Sequence, residues 1–419
     1  MDGNVFQIRI NWIDKSPSKT YSADFQTKTE YSTNWKNTLK KAHGNSEVFC
    51  CCQGSGSKRL AVRYMTDTDS FHLARFPETG HEHSTDCIYY APDPSITGAG
   101  AYAKDVLEET SDGGFRIKLA VGLKIKGATS SQEQPSSENQ APSASKPSMS
   151  LLGLLHTLWT HSGMNRWSPA MQGKRDWGKV HKHINLAASK ILASRLTIED
   201  CLLVGTFFTS QEKANEDKVK NAAALKRRLV LIAPMATYTS ERDGGFKGNL
   251  PLKNFGGMPY THLPLDLWKR TKKRFESEFV HWRSGGQVVV IGMGEFDKSG
   301  KNFVLLDIAV MAITDQFIPV DSNPEYKVAE KLIAENRRFW KPLKYDANED
   351  VFPDFILSDT INPEVPMEVF GMDTLEYRER MAKKIVFYDT KYGKNEWWYW
   401  DAIKNNSIPP FPNKYPHQG

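Results

Sequence analysis

A chain of 419 residues, 39% hydrophobic and 25% charged, has the make-up of a globular protein with room for two or three domains, which excludes collagen-like and low-complexity classes. The net charge of +6 is concentrated: residues 151–325 carry 24 Lys and Arg against 17 Asp and Glu, so a polyanionic partner would be gripped by the middle of the chain. The opening MDGNVFQIRI lacks the basic stretch and apolar core of a signal peptide, and no run approaches the ~20 apolar residues that cross a bilayer, which predicts a cytoplasmic protein with no membrane partner.

The first 127 residues read as a small β-rich module. EVFCCCQ and KRLAVRYM flank the turn signal GSGS, and GGFRIKLAVGLKIKG alternates like a further strand or pair. Five cysteines, three of them adjacent, do not suit a disulfide scaffold and leave metal binding or plain burial. Cys50 and Cys52, two apart on a strand, point to one side, and Cys51 points away. His83 and Cys87 are four apart and align if a helical turn begins near Ser84. Cys50, Cys52, His83 and Cys87 therefore make a ligand set of the type that holds a structural, tetrahedral Zn²⁺. His81 can stand in for His83, and His72 is a more distant reserve. A deaminase site on His81-Glu82-His83 is excluded because no Pro-Cys-x2-Cys follows. Cys201, inside an apolar stretch, reads as core.

Residues 128–150, rich in Ser, Gln and Pro, are predicted to be a disordered linker. A basic domain over 151–325 follows, rich in predicted helix: SLLGLLHTLWTHSG, DWGKVHKHINLAASKILASR and ANEDKVKNAAALKRRLVLIA. GQVVVIGMGEF and NFVLLDIAVMAI around DKSGK read as a hairpin. IGMGEF leads into a turn and strand, which excludes a dinucleotide loop. Two basic runs are candidates for DNA contact: Lys226, Arg227 and Arg228, then Lys269, Arg270, Lys272, Lys273 and Arg274. Trp268 and Trp282 bracket the second run and would be placed to stack on exposed bases, although solvated helix faces look the same.

Residues 326–419 read in the order α, β, β, β, α, β: YKVAEKLIAENRRFW, KPLKYD, VFPDFIL, PMEVFG, a helix from DTLEYRERMAKKIVFYDTKYG with Asp373 as N-cap, and EWWYWDAI. Asp354 and Glu368 each sit among apolar neighbours on a strand, where an ionised carboxylate is unfavourable unless a cation, a basic side chain or solvent compensates it. At 100° per residue, Tyr377, Arg380, Lys384 and Tyr388 fall in one stripe of the following helix. Two permanent positive charges in that stripe call for anionic company, although Arg380 can equally pair with Glu376 or Glu379 in water.

The element order, the Pro353-Asp354 pair, Glu368 in EVFG and the Tyr377-x2-Arg380-x3-Lys384-x3-Tyr388 pattern resemble the PD-(D/E)XK nuclease superfamily, over about residues 326–402. The resemblance implies an α+β, multidomain chain ending in an αβββαβ restriction-endonuclease-like module. By the same resemblance Asp354 and Glu368 would hold Mg²⁺ or Mn²⁺, Lys384 would replace a strand lysine by migration to the helix, and Arg380 and Tyr377 would orient the phosphate or the carboxylates. Glu330 and Glu335 are both candidates for an acid on the first helix. Phe370 stands where the strand lysine of that superfamily would be. The implied activity is a metal-dependent DNA endonuclease or nickase, the nuclease subunit of a mobile-element or defence complex, with a catalytically inactive DNA-binding or scaffold protein as the alternative. More weakly, FCCCQG, LARFPETGHEHSTDC and LLHTLWTHSGMNRWSP resemble an uncharacterised family of bacterial plasmid and integrative-element proteins, which implies a mobile-element context.

Overall fold

The computed structural model describes residues 4–14, 16–65, 69–76, 79–84, 86–90, 106–110, 113–125, 148–243, 248–300, 302–343, 352–362 and 364–415. The chain forms two compact units, Met1–Gly100 with Glu108–Arg116, and Ala101–Leu107 with Ile117–Gly419. Most of the expected linker over 128–150 lies outside the described residues.

In the first unit, β1 (Ile8–Trp12), β2 (Lys19–Tyr21), β3 (Ser46–Cys50), β4 (Arg59–Met65) and β5 (Ser70–Arg75) form a sheet in the order β2-β1-β3-β4-β5. Alternation sends Ile8, Ile10, Val48, Cys50 and Leu60 to one buried face. The helices α1 (Ala23–Thr27) and α2 (Ser32–Ala42) pack together, and α2 packs on β5. Of the strands expected in 113–127, a strand forms at Phe115–Ile117 among the described residues.

The second unit contains two five-stranded sheets. The first helix among its described residues, α3 (Leu151–His161), is apolar nearly all round and accordingly buries Leu151, Leu154, Leu155, Leu158 and Trp159. The Trp159 indole N–H donates to the Phe317 carbonyl at 3.0 Å. A two-residue strand follows, β6 (Arg166–Trp167), then the helix α4 (Trp177–Ala188). The central sheet takes β7 (Leu202–Val204), β8 (Leu229–Pro234), β9 (Thr261–His262), β10 (Gln287–Phe296) and β11 (Phe303–Ile313) in the order β7-β8-β10-β11-β9. β7 and β8 run parallel, joined through the helix α5 (Thr209–Ala224), and β10–β11 is the expected hairpin. The helices α6 (Leu265–Arg274) and α7 (Glu276–Arg283) pack against this sheet.

The middle of the chain is thus organised around a sheet, which corrects the helical reading of that region. LVLIAP, predicted as the end of a helix, is a central strand buried at every position. Helix α5 stops at Ala224, and Lys226 takes a left-handed φ of 50° that turns the chain into the strand. An unbroken apolar run fits a buried strand as well as a buried helix, and periodicity alone does not separate them.

The second sheet of this unit comprises β12 (Phe339–Trp340), β13 (Phe355–Leu357), β14 (Val365–Phe370) and β15 (Trp398–Asp401), with β6 as its far edge, in the order β15-β14-β13-β12-β6. Neighbours are antiparallel except the parallel pair β14–β15. The helix α8 (Asn323–Ala334) precedes β12, and α9 (Leu375–Lys391) joins β14 to β15, so the α, β, β, β, α, β order is present. The expected boundary at 325/326 falls inside α8, and the sheet's edge strand comes from residues 166–167. The first strand is Phe339–Trp340, two residues before the expected KPLKYD; Lys341–Leu343 are not in a strand, and residues 344–346 lie outside the described residues. The cap of α9 is Thr374, whose hydroxyl accepts from the Tyr377 N–H; Asp373 pairs with Arg378 instead.

A buried ion pair fastens the C-terminal segment to this sheet. The Arg337 guanidinium donates to both oxygens of Asp359 and to the Pro412 carbonyl, and Asp359 also accepts from the Arg338 N–H. Removing one partner strands the other charge in the interior. Asp359→Ala is therefore expected to lose about 3–5 kcal/mol of stability in urea unfolding; a midpoint equal to wild type would show that the pair is dispensable.

Candidate functional site

In the first unit the buried side of β3 and the loop after it present Cys50 and Cys52, while a one-turn helix at Gly80–Glu82 delivers His83. A turn closed by the Cys87 N–H on the Ser84 carbonyl brings in Cys87. Cys50 Sγ lies 3.7 Å from Cys87 Sγ, and His83 Nδ1 lies 3.6 Å from both Cys52 Sγ and Cys87 Sγ. All four are buried, and all four ligand atoms lie within 4.8 Å of one another, so the cluster can hold a metal ion. A sulfur separation of 3.7 Å is far beyond the ~2.05 Å of a disulfide. Cys51 is exposed, as strand alternation predicts, and His83 rather than His81 or His72 joins the set. Gly54 allows the loop to lie against the 80–83 turn, since a Cβ there would fall 2.0 Å from the Glu82 carbonyl oxygen.

The second cluster lies where β13 and β14 meet α8 and α9. The register Phe355↔Met367 continues one step back to set Asp354 beside Glu368. The Asp354 N–H donates to the Met367 carbonyl, and Asp354 Oδ2 accepts from the Val369 N–H at 2.7 Å. Glu368 is 1% exposed. Its Oε1 and Oε2 accept from Lys384 Nζ at 3.0 and 2.8 Å, and Oε1 also accepts from the Tyr388 hydroxyl at 2.7 Å. Lys384 Nζ donates in addition to the Phe352 carbonyl at 3.3 Å. The Tyr377 hydroxyl accepts from the Gly371 N–H. Phe370 is buried and packs edge-on to Tyr377 and Tyr399, so α9 rather than β14 supplies the ammonium.

Arg380 is the member of the stripe that stays outside: it is exposed, with its guanidinium 5.7 Å from the Tyr377 ring centroid. The first-helix acid at the cluster is Glu325, not Glu330 or Glu335. Glu335 lies at the far end of α8 and pairs with Lys331, and the Glu330 carboxyl is surrounded by other residues near Asp315. Glu325 sits in the first turn of α8 as the partner of a Ser322 cap, a reciprocal arrangement whose signature is Ser322-x-x-Glu325. Lys341, also not singled out by sequence, is fully buried and donates to Glu325 Oε2 at 2.6 Å and Asp321 Oδ2 at 2.9 Å.

Burial pushes the Glu325 carboxyl up to about 7, with Asp354 and Asp321 adding to the rise against the pull of Lys341. Burial and then Glu368 push Asp354 up to about 6, while Lys341 and Lys384 oppose the rise. Burial opposes charge on Lys341, yet the carboxylates of Asp321, Glu325 and Asp354 more than offset it and hold the amine protonated. Burial and Glu368 likewise keep the Tyr388 hydroxyl protonated, so it remains a donor. The cluster thus gathers Glu325, Asp354 and Glu368 around the ammonium groups of Lys341 and Lys384.

The basic runs are partly committed to structure. Arg228 pairs with Glu295 and donates to the Gly122 carbonyl, and Lys272 is held by Asp243. Arg270 pairs with Asp266 on the surface. Lys226, Lys269, Lys273 and Arg274 are exposed, and Arg227 is half-buried. Trp268 and Trp282 are both buried, their indole N–H groups donating to the carbonyls of Asp243 and Ala236, which corrects the expectation that they stack on bases.

Fold and clusters together define a mixed α/β protein with a Cys/His cluster able to bind metal, in which, among the described residues, no helix is long and apolar enough to cross a membrane. Residues 21–402 match the family described as "Protein of unknown function (DUF1173)", and the chain belongs to that family. No curated protein and no solved structure matches it.

Two outcomes follow from these clusters. The purified protein is expected to carry one tightly held metal ion per chain at the Cys/His cluster, lost in Cys52→Ser together with a lower Tm; metal analysis showing equal content in both proteins would exclude the cluster as a ligand set. In metal-free protein, the raised carboxyls Asp354 and Glu325 bind protons more tightly folded than unfolded. Their contribution is fully present below about pH 4 and is lost as pH rises through about 6 and 7. Asp354→Asn should flatten that fall in a pH series of unfolding midpoints.

Proposed function

We propose that the C-terminal part of the chain is a metal-dependent phosphodiesterase acting on DNA, an endonuclease or nickase that serves as the nuclease subunit of a mobile-element or defence complex. The observation that carries this reading is the convergence of Asp354, Glu368 and Lys384, from two neighbouring strands and one helix, on a single buried place. The donor set fits a hard divalent cation, because two neighbouring carboxylates present the oxygen ligands that Mg²⁺ or Mn²⁺ takes. Asp354 and Glu368 would hold it. When bound, such an ion supplies Lewis acidity and an activated water.

The chain's own residues have distinct tasks in this reading. Tyr388 and Lys384 fix both oxygens of Glu368, and the Val369 N–H fixes one oxygen of Asp354, so the carboxylates need no reorganisation before they act. Lys384 is anchored at the Phe352 carbonyl and is 19% exposed, which lets its ammonium stabilise charge developing on an attacked phosphate. Arg380, exposed over Tyr377, is free to meet a phosphate of the same strand. Lys226, Arg227, Lys269, Lys273 and Arg274 supply the salt-dependent grip on DNA.

For the N-terminal cluster the proposed ion is zinc in a structural role. Tetrahedral ligation by three thiolates and one imidazole sets S–S edges of about 3.8 Å and S–N edges of about 3.6 Å; the separations here are 3.7 and 3.6 Å. A closed set of four protein ligands leaves no position for substrate.

The alternative is a catalytically inactive DNA-binding or scaffold protein, favoured by the burial of Phe370 in an aromatic cluster. Cleavage decides between them. With Mg²⁺ or Mn²⁺, wild type should nick or cut supercoiled DNA, and Asp354→Ala and Lys384→Ala should each slow it by roughly 100-fold or more; equal cutting by all three would remove this site from the reaction. DNA affinity should fall in Lys269→Glu with Lys273→Glu, and the dependence of affinity on salt should become shallower.

A further inference from the structure

Lys341 is one of the largest fully buried side chains in the structure, and it is charged. Its place is fixed by the backbone: its N–H donates to the Asn165 carbonyl at 2.8 Å, and its own carbonyl accepts from the Asn165 side chain at 2.7 Å. The ammonium lies 5.3 Å from the Phe355 ring centroid and reaches Glu325 and Asp321. Glu325 is fully engaged by donors of the chain itself. Oε2 accepts from Lys341 and from the Asp321 N–H, and Oε1 accepts from the Ser322 hydroxyl. The Asp354 carboxylate, by contrast, commits Oδ2 to the Val369 N–H and accepts no further hydrogen bond among the described residues.

Resting on the reading that Asp354 and Glu368 hold a divalent ion, we propose that Lys341 is a positioning residue that acts as the resident cation of the acidic centre, so that the centre takes one divalent ion and not two. Glu325 and Asp321 are the anchors of this ammonium rather than ligands. The α8 end of the cluster is neutralised by the protein, and the strand end is left for metal. A buried carboxylate needs a positive partner whether an ion is present or not, and an ammonium delivered by the fold meets that need without competing for ions in solution.

The test counts ions instead of products. Zinc-loaded full-length protein is titrated with Mn²⁺ in the absence of DNA, followed by calorimetry and by the electron-spin signal of free Mn²⁺. Wild type is expected to bind one Mn²⁺, lost in Asp354→Ala and retained in Glu325→Gln. Lys341→Met should expose Glu325 and Asp321 and raise the count to two, and Lys341→Arg should restore one. A wild-type count of two, loss of the ion in Glu325→Gln, or an unchanged count and affinity in Lys341→Met would overturn the inference. Should Lys341→Met fail to fold, the wild-type count and Glu325→Gln still decide. Two ions with DNA cleavage intact would overturn this inference alone; no Mn²⁺ binding by wild type would overturn the metal-centre reading as well.

Discussion

The C-terminal sheet is organised around one costly act, the burial of the Glu368 carboxylate. An ionised carboxylate loses several kcal/mol of hydration on entering an interior and persists there only when charge and hydrogen bonds replace the water. Lys384 and Tyr388 provide that replacement from α9, and Asp354 is drawn into the same field from β13. Glu325 and Lys341 extend it to α8. The helices α8 and α9 are thereby tied to the sheet through charge as well as through apolar packing.

The two clusters divide the labour of the chain in physical terms. The Cys/His set joins a strand, a loop and a turn whose own apolar core is small, a situation in which a bound metal substitutes for missing hydrophobic burial. The carboxylate and lysine set lies in a unit with an ample apolar core of its own. Buried charge in such a unit is the kind of feature that points to chemistry.

Much of this arrangement is legible in the sequence, and the exceptions have identifiable causes. Cys50, Cys52, His83 and Cys87 are readable because strand alternation and a four-residue spacing fix which way side chains point. Tyr377, Lys384 and Tyr388 are readable because helical periodicity puts them on one face. Glu325 escapes because a helix read from its apolar rhythm begins at Tyr326, whereas the cap at Ser322 starts it earlier; the Ser-x-x-Glu pattern was the available signal. Lys341 has no signal at all, since a lysine beside a strand reads as surface until the carboxylates around it are known. Trp268 and Trp282 mislead because a tryptophan near lysines looks the same in sequence whether its indole N–H meets a carbonyl or solvent.

Helix α9 has a further consequence. Of its 17 residues Tyr388 alone is buried among those described, while Leu375 and Val386 face outward. Its seat on the sheet therefore leans heavily on the grip of Lys384 and Tyr388 upon a single carboxylate, beside the packing of Tyr377 on Phe370. Loss of the negative charge of Glu368 would loosen the latch of the helix, so the charge state of one interior side chain and the docking of its roof are one equilibrium seen from two sides.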